Sequence, residues 1–193
     1  DRPFYYSIKS IDILFKSYGM SLIKVEEIEP HGGSIKCFIK NSEGLKKTQN
    51  TKKLLINEKK QLNIKKLNNF KNKVKAEVRN FKNNIINLKK NNQKIIGYGS
   101  PARLATITNI CKINKTHIDF IIDDSPLKQG RFTPGMHIPI KNYKTLEKYI
   151  PDVIIVFAYE YFTDIKKKTK HTKSKYFKPI PFKLLIKWLK IFT

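Results

Sequence analysis

Apolar residues recur along this chain at two different spacings, and the change of spacing marks out its elements. Over Ser7–Tyr18, Ile8, Ile11, Leu14 and Phe15 fall on one helical face, and Gly19 stands where a helix C-cap belongs. Ser21–Glu29 and Ser34–Ile39 alternate as half-buried strands do, with a turn at Pro30-His31-Gly32-Gly33 between them. From about Leu54 to Asn91, Leu67, Phe70, Val74, Val78, Phe81, Ile85 and Leu88 recur every three or four residues. That spacing predicts one long amphipathic helix, uninterrupted by Pro or Gly and packed on both of its neighbours.

Past Lys94 the pattern turns to short apolar runs separated by helical stretches. Ile95-Ile96 predicts a strand, Gly97-Tyr98-Gly99 a turn, and Pro101 to about Ile110 a helix. Ile118–Ile122 predicts a second strand and Thr145–Tyr149 a short helix. Asp152–Ala158 carries the strongest parallel-strand signal, followed by a helix over Phe162–Lys170 and a terminal strand over Tyr176–Ile180. Strands alternating with helical crossovers imply an α/β, Rossmann-like parallel sheet. The last stretch, Phe182–Phe192, reads as an amphipathic basic helix with Lys183, Lys187 and Lys190 on one face. It is expected to dock on the domain rather than on a membrane surface. The organisation expected is 1–45 as an opening helix and hairpin, 46–92 as a connecting helix, and 93–193 as the sheet domain. The opening segment buries too little to stand alone and looks like the tail of a larger domain.

Charge changes this picture little. The net charge is +25, but of the 40 basic residues only four are Arg (Arg2, Arg79, Arg103 and Arg131). A nucleic-acid surface leans on Arg for bidentate and stacking contacts, so the excess reads as lysine on solvated faces rather than a polyanion site. No apolar run is long enough to span a membrane. Cys37 and Cys111 lack ligand-like spacing and read as free thiols of a reducing, cytoplasmic compartment.

The candidate chemistry gathers between Lys94 and Ile140. A glycine turn leading from a strand into a helix lets backbone N–H groups face an anion, which makes Gly97, Tyr98, Gly99 and Ser100 candidates, with Arg103 one turn further on. Asp123 and Asp124 end the second strand, where a carboxylate either accepts from ribose hydroxyls or caps the turn before Ser125-Pro126. Lys128, Arg131 and His137 lie in a loop held by Pro and Gly, which either binds a diphosphate or a sugar or is an ordered crossover. His31 is a lone turn histidine. No catalytic triad, metal-ligand spacing or P-loop is present in the sequence.

Several segments resemble, in chain order, the C-terminal part of the S-adenosylmethionine-dependent sugar C-methyltransferase family. They are Phe4–Ser7, His31–Ser34, Gly97–Ala102, Asp123–Arg131, Pro134–Ile140 and Pro151-Asp152, of which 123–140 is the most specific. The resemblance implies an enzyme that methylates a carbon of a nucleotide-linked keto-deoxysugar. It also implies a zinc lobe and a central methyl-donor domain upstream, and a Rossmann-like C-terminal domain that helps hold the sugar nucleotide. By this resemblance, residues 1–45 would be the end of a truncated methyltransferase domain. The substrate-contact set would be Tyr5, His31, Gly97, Tyr98, Gly99, Ser100, Arg103, Asp123, Asp124, Lys128 and Arg131. Family members carry a Glu-His pair, the His resembling the base, where this chain has Asp1 and Arg2. A guanidinium does not accept a proton at neutral pH, so no catalytic residue is expected here. Neither metal nor S-adenosylmethionine is expected to bind this chain alone, and the missing N-terminal half would be a partner. The alternative expectation is a non-catalytic module that binds a nucleotide-sugar or a protein.

Overall fold

The computed structural model describes residues 4–29 and 33–185. The chain divides into two compact units, 1–71 and 72–193.

The first unit holds α1 (Ile8–Lys16), β1 (Ser21–Ile28), β2 (Ser34–Lys40), α2 (Gln49–Gln61) and the start of α3 (Ile64–Lys90). A capping box between Ser7 and Ser10 starts α1, and Glu58 of α2 accepts from the Ile8 and Lys9 amides at 2.5 and 2.9 Å. Strands β1 and β2 form an antiparallel pair with an irregularity between Leu22 and Lys24. Ile8, Leu22 and Val25 make a small core, with Leu54 and Leu55 of α2 packed on it.

The long helix expected over 46–92 is two helices. Leu62 leaves helical geometry, and Asn63 divides the elements by donating through Nδ2 to the Lys60 carbonyl and accepting the Lys66 amide on Oδ1. An asparagine cap does here what a scan for Pro and Gly does not register. Of the predicted stripe, Phe81 and Ile85 are fully buried, whereas Leu67, Phe70 and Val74 are exposed.

The second unit is a six-stranded sheet in the order β5-β4-β3-β6-β7-β8. Its strands are β3 (Ile95–Tyr98), β4 (Ile121–Ile122), β5 (Ile140–Lys141), β6 (Val153–Val156), β7 (Lys175–Lys178) and β8 (Lys183–Leu184). All neighbours run parallel except β7 and β8. The expected parallel α/β sheet is therefore present. One face, with Ile95, Ile121, Val153 and Ile155, packs on α3 and on α4 (Ala102–Cys111) through Phe81, Ile85 and Leu104. The other face, with Ile96, Ile122, Ile154 and Val156, packs on α5 (Phe162–Lys168) through Phe162 and Ile165. Both faces are covered, which is why these strands read as unbroken apolar runs.

Two departures from expectation stand out. Of the expected 118–122 strand, β4 keeps Ile121 and Ile122, while the Asp119 amide and the Phe120 carbonyl bond to Ile95 and Gly97 of β3 just ahead of it. The basic helix expected from Phe182 does not begin there. Phe182 stacks on Phe177 at 4.8 Å between centroids, and Lys183-Leu184 pair antiparallel with β7. A free edge on β7 offers backbone partners that an isolated helical turn lacks. Residues 186–193 lie outside the described residues. Among the described residues no helix is long and apolar enough to cross a membrane.

Candidate functional site

The chain leaves β3, builds β4 and β5 on one side of it, then returns to build β6 on the other. The carboxyl ends of β3 and β6 thus flank the point where strand order reverses, where open α/β sheets take their ligands. Most of the sequence-predicted residues converge along this edge.

The expected turn begins later than the sequence suggested, since Gly97 and Tyr98 are still paired in β3, and both glycines here serve packing. A Cβ on Gly97 would sit 2.4 Å from Ile121 Cδ1 and 3.0 Å from Phe157 Cε2. Gly99 has φ +84°, and a Cβ there would lie 2.4 Å from that of Ala158. Side chains already fill these positions, so the turn forms no open cradle. Beyond it, α4 begins at Pro101 without a side-chain cap.

The two carboxylates after β4 differ in setting. Asp123 is buried and clamps the turn: Oδ2 accepts the Ser100 amide at 2.6 Å and Oδ1 the Ser125 amide at 2.9 Å. Lys128 Nζ donates to the Ser100 carbonyl at 2.9 Å and reaches Asp123 Oδ2 at 3.4 Å, and Gln129 donates to the Asp123 carbonyl. Asp124 is instead exposed, and accepts from Lys168 Nζ at 2.7 Å and from the Tyr98 hydroxyl at 3.2 Å. Burial first, then the neighbouring Asp124 carboxylate, pushes the Tyr98 phenol well above its ordinary pKa, so it remains a donor.

Across the switch point, Arg103 pairs with Glu160 and lies over the Tyr159 ring at 4.5 Å. Lys178 reaches the same ring at 4.2 Å. Tyr159, Glu160 and Tyr161 form a 3-10 turn straight after β6, and Tyr161 is 65 % exposed. Sequence reasoning missed Tyr159, Glu160, Lys168 and Lys178. The signal available was their position just past the carboxyl end of a strongly predicted parallel strand, or near one in the fold. The strand ends thus carry two polar groups, Arg103 and Lys178 on the Tyr159 ring with Glu160, and Asp124 with Lys168 and Tyr98, whose cations and rings suit a phosphorylated ligand with a ring and free hydroxyls.

The loop after β4 is held by its own hydrogen bonds, which leaves both readings of its charged residues standing. Thr133 and Ile138 exchange hydrogen bonds across the Pro134-Gly135 turn, and Asn109 of α4 donates to the Pro134 carbonyl at 3.0 Å. Arg131 and His137 are exposed on it. Tyr5 belongs to the first unit, where it is 90 % exposed. Asp1, Arg2 and His31 lie outside the described residues. A groove of about 280 Å³ lined by Val74, Lys75, Val78, Arg79 and Ile110 is almost wholly apolar and offers no comparable chemistry.

Comparison with known proteins bears on the family. C-methyltransferase NovU of Streptomyces niveus is 24 % identical over 186 residues, covering 92 % of this chain and 44 % of the relative. The chain thus spans less than half the length of the curated relative it matches. The C-methyltransferase C-terminal domain model matches residues 29–181, which take in the whole parallel sheet and every polar group described along its edge. This chain therefore belongs to the C-methyltransferase C-terminal domain family.

Proposed function

We propose that this chain is the sugar-nucleotide-holding C-terminal portion of an enzyme that moves a methyl group from S-adenosylmethionine to a carbon of a nucleotide-linked keto-deoxysugar. The observation that carries the reading is the polar and aromatic cluster at the β3/β6 switch point, inside the region matched by the family. Arg103 and Lys178, both seated on the Tyr159 ring, attract the diphosphate, the exposed Tyr161 offers a ring face, and Asp124 accepts from a hydroxyl. Asp123 and Lys128 hold the turn that positions them.

The βα turn does not fit the methyl donor, because Ile121, Phe157 and Ala158 occupy the space beside its glycines. S-adenosylmethionine supplies an electrophilic methyl, and its site belongs to the remainder of the enzyme. This chain's part is to bind the sugar nucleotide and orient it. The free thiols Cys37 and Cys111 suit a cytoplasmic setting.

Calorimetry with thymidine- and cytidine-diphospho-sugars, alongside a methyl-transfer assay with S-adenosylmethionine, tests the reading. We expect saturable binding of a nucleotide-sugar and no turnover. Turnover by the chain alone, or no heat with any of these ligands, refutes it.

A further inference from the structure

Helix α3 carries one apolar stripe through two surroundings. Toward its C-terminal end Phe81 and Ile85 are fully buried against the sheet. Earlier in the helix Ile64, Leu67, Phe70 and Val74 keep the same three-and-four spacing, yet all four are exposed, Ile64 by 75 % and Phe70 by 66 %. Past Val74 the open apolar surface continues into the groove lined by Val78 and the exposed Ile110.

The charges around this stretch are all of one sign. Residues 59–76 include seven lysines and no Asp or Glu. By helical position Lys66 and Lys73 border Leu67, Phe70 and Val74 on one side, and Lys71 and Lys75 border them on the other. Among the described residues none of these four lysines pairs with a carboxylate. Lysine on a polar face needs no partner but water. Here it frames leucine and phenylalanine side chains that water does not favour. A lysine stem can lie along such a ridge while its ammonium reaches past it. Two rows of cations beside an exposed apolar stripe are the make-up of a helix that rests in a lipid interface.

We propose that residues 64–75 of α3 dock on the surface of an anionic lipid bilayer, with Leu67, Phe70 and Val74 entering the headgroup boundary and the flanking lysines meeting lipid phosphates. Other occupants satisfy only part of the pattern. A second copy would set lysine rows against lysine rows, with no acid in 59–76 to relieve them. Duplex nucleic acid would neutralise the lysines but leave the apolar ridge in water, and the stretch has no Arg for base or stacking contacts. A protein partner would have to bring acids along both flanks at matching spacing. A layer of anionic headgroups supplies charge on both sides at once, above hydrocarbon that takes the ridge. Among the described residues no helix is apolar enough to span, so the contact is with the surface.

The test is sedimentation of the full chain with vesicles of phosphatidylcholine alone or mixed with phosphatidylglycerol. We expect binding to the mixed vesicles only, weakening as salt rises. Lys66→Gln, Lys71→Gln, Lys73→Gln and Lys75→Gln together should weaken it at least about a hundredfold, from roughly fivefold per lysine. Lys144, Lys148, Lys167 and Lys170 are exposed on the α5 face of the sheet, opposite α3. Their four Gln substitutions make the same change in net charge and should weaken binding less than about threefold, because screening removes so distant a charge. Leu67→Ser with Phe70→Ser leaves the charge alone and should weaken binding about tenfold. Both side chains are exposed, so the unfolding midpoint of this pair should match the parent's, which separates lost docking from lost folding.

Equal losses from the two lysine sets would reduce the effect to net charge and overturn the proposal, as would a serine pair that binds like the parent. Tighter binding to duplex DNA than to the mixed vesicles gives the ridge to nucleic acid. Self-association that the serine pair abolishes, without vesicle binding, gives it to a second copy. A soluble fusion of the Streptomyces niveus relative's unmatched part with this chain that no longer sediments with vesicles gives it to the rest of the enzyme. Each of these results overturns the proposal.

Discussion

Removing the Asp123 carboxylate probes the link between packing and site most directly. Its two oxygens accept the Ser100 and Ser125 amides, tying the end of β3 to the loop after β4. A hydrogen bond to an ionised acceptor contributes about 1.5 kcal/mol at its lower end, the appropriate value where water reaches part of the donor. Both serines are half-buried, so Asp123→Ala should destabilise the second unit by about 3 kcal/mol. The Lys128 contact, long and 44 % exposed on the lysine side, adds little. Asp123→Asn keeps one acceptor and should lose about half as much. The Ile96 and Ile154 amides, in the two central strands, report opening of this unit by native-state hydrogen exchange. The alanine variant should accelerate their exchange roughly 150-fold, since each 1.4 kcal/mol is a factor of ten. Asp124→Ala is the control: its carboxylate is exposed and should change stability by less than about 1 kcal/mol. A loss below about 1 kcal/mol for Asp123→Ala, or equal losses at the two positions, would refute the clamp.

Other predictions follow from the same geometry. Gly97→Ala should destabilise the second unit by about 1–3 kcal/mol, because the new methyl meets Ile121 and Phe157; denaturant unfolding within error of the parent would contradict that packing. Arg103→Ala should weaken nucleotide-sugar binding by about tenfold, while Glu160→Gln, by freeing the guanidinium, should tighten it; calorimetry with both variants must show opposite signs. Burial, opposed in part by Lys82, pushes the Cys111 thiol up to about 11. The folded state then holds this proton while the unfolded chain, with a thiol pKa of about 8.5, releases it. Stability relative to Cys111→Ala should be flat below that value and should fall as pH rises toward 11, as unfolding midpoints across that range would show. A difference that grows in the opposite direction removes the argument.

The elements whose burial is written in local spacing were legible before any coordinates. Asp152–Ala158 had to be a strand covered on both faces, because an apolar run of that length without alternation has no wet side. Helical periodicity picked out Phe81 and Ile85, which are buried, but equally Leu67, Phe70 and Val74, which are not. The Gly97-Tyr98-Gly99 signal marked the end of a strand that runs on through Tyr98. The family resemblance likewise lay in contiguous motifs, and the match over 29–181 agrees with it.

Tertiary structure decided what depends on residues far apart in the chain. The sequence allowed either aspartate to cap the local turn, and the Ser100 amide, 23 residues away, fixes Asp123 in that place. The reason for two glycines lay in Ile121, Phe157 and Ala158, and Arg103 found Glu160 only once β6 had been laid beside β3. β5 and β8, of two residues each, have no pattern of their own and exist because a neighbouring edge pairs them. Periodicity along a chain reports which side of an element is buried. It carries no information on which distant element supplies the partner, and the site is made of such partners.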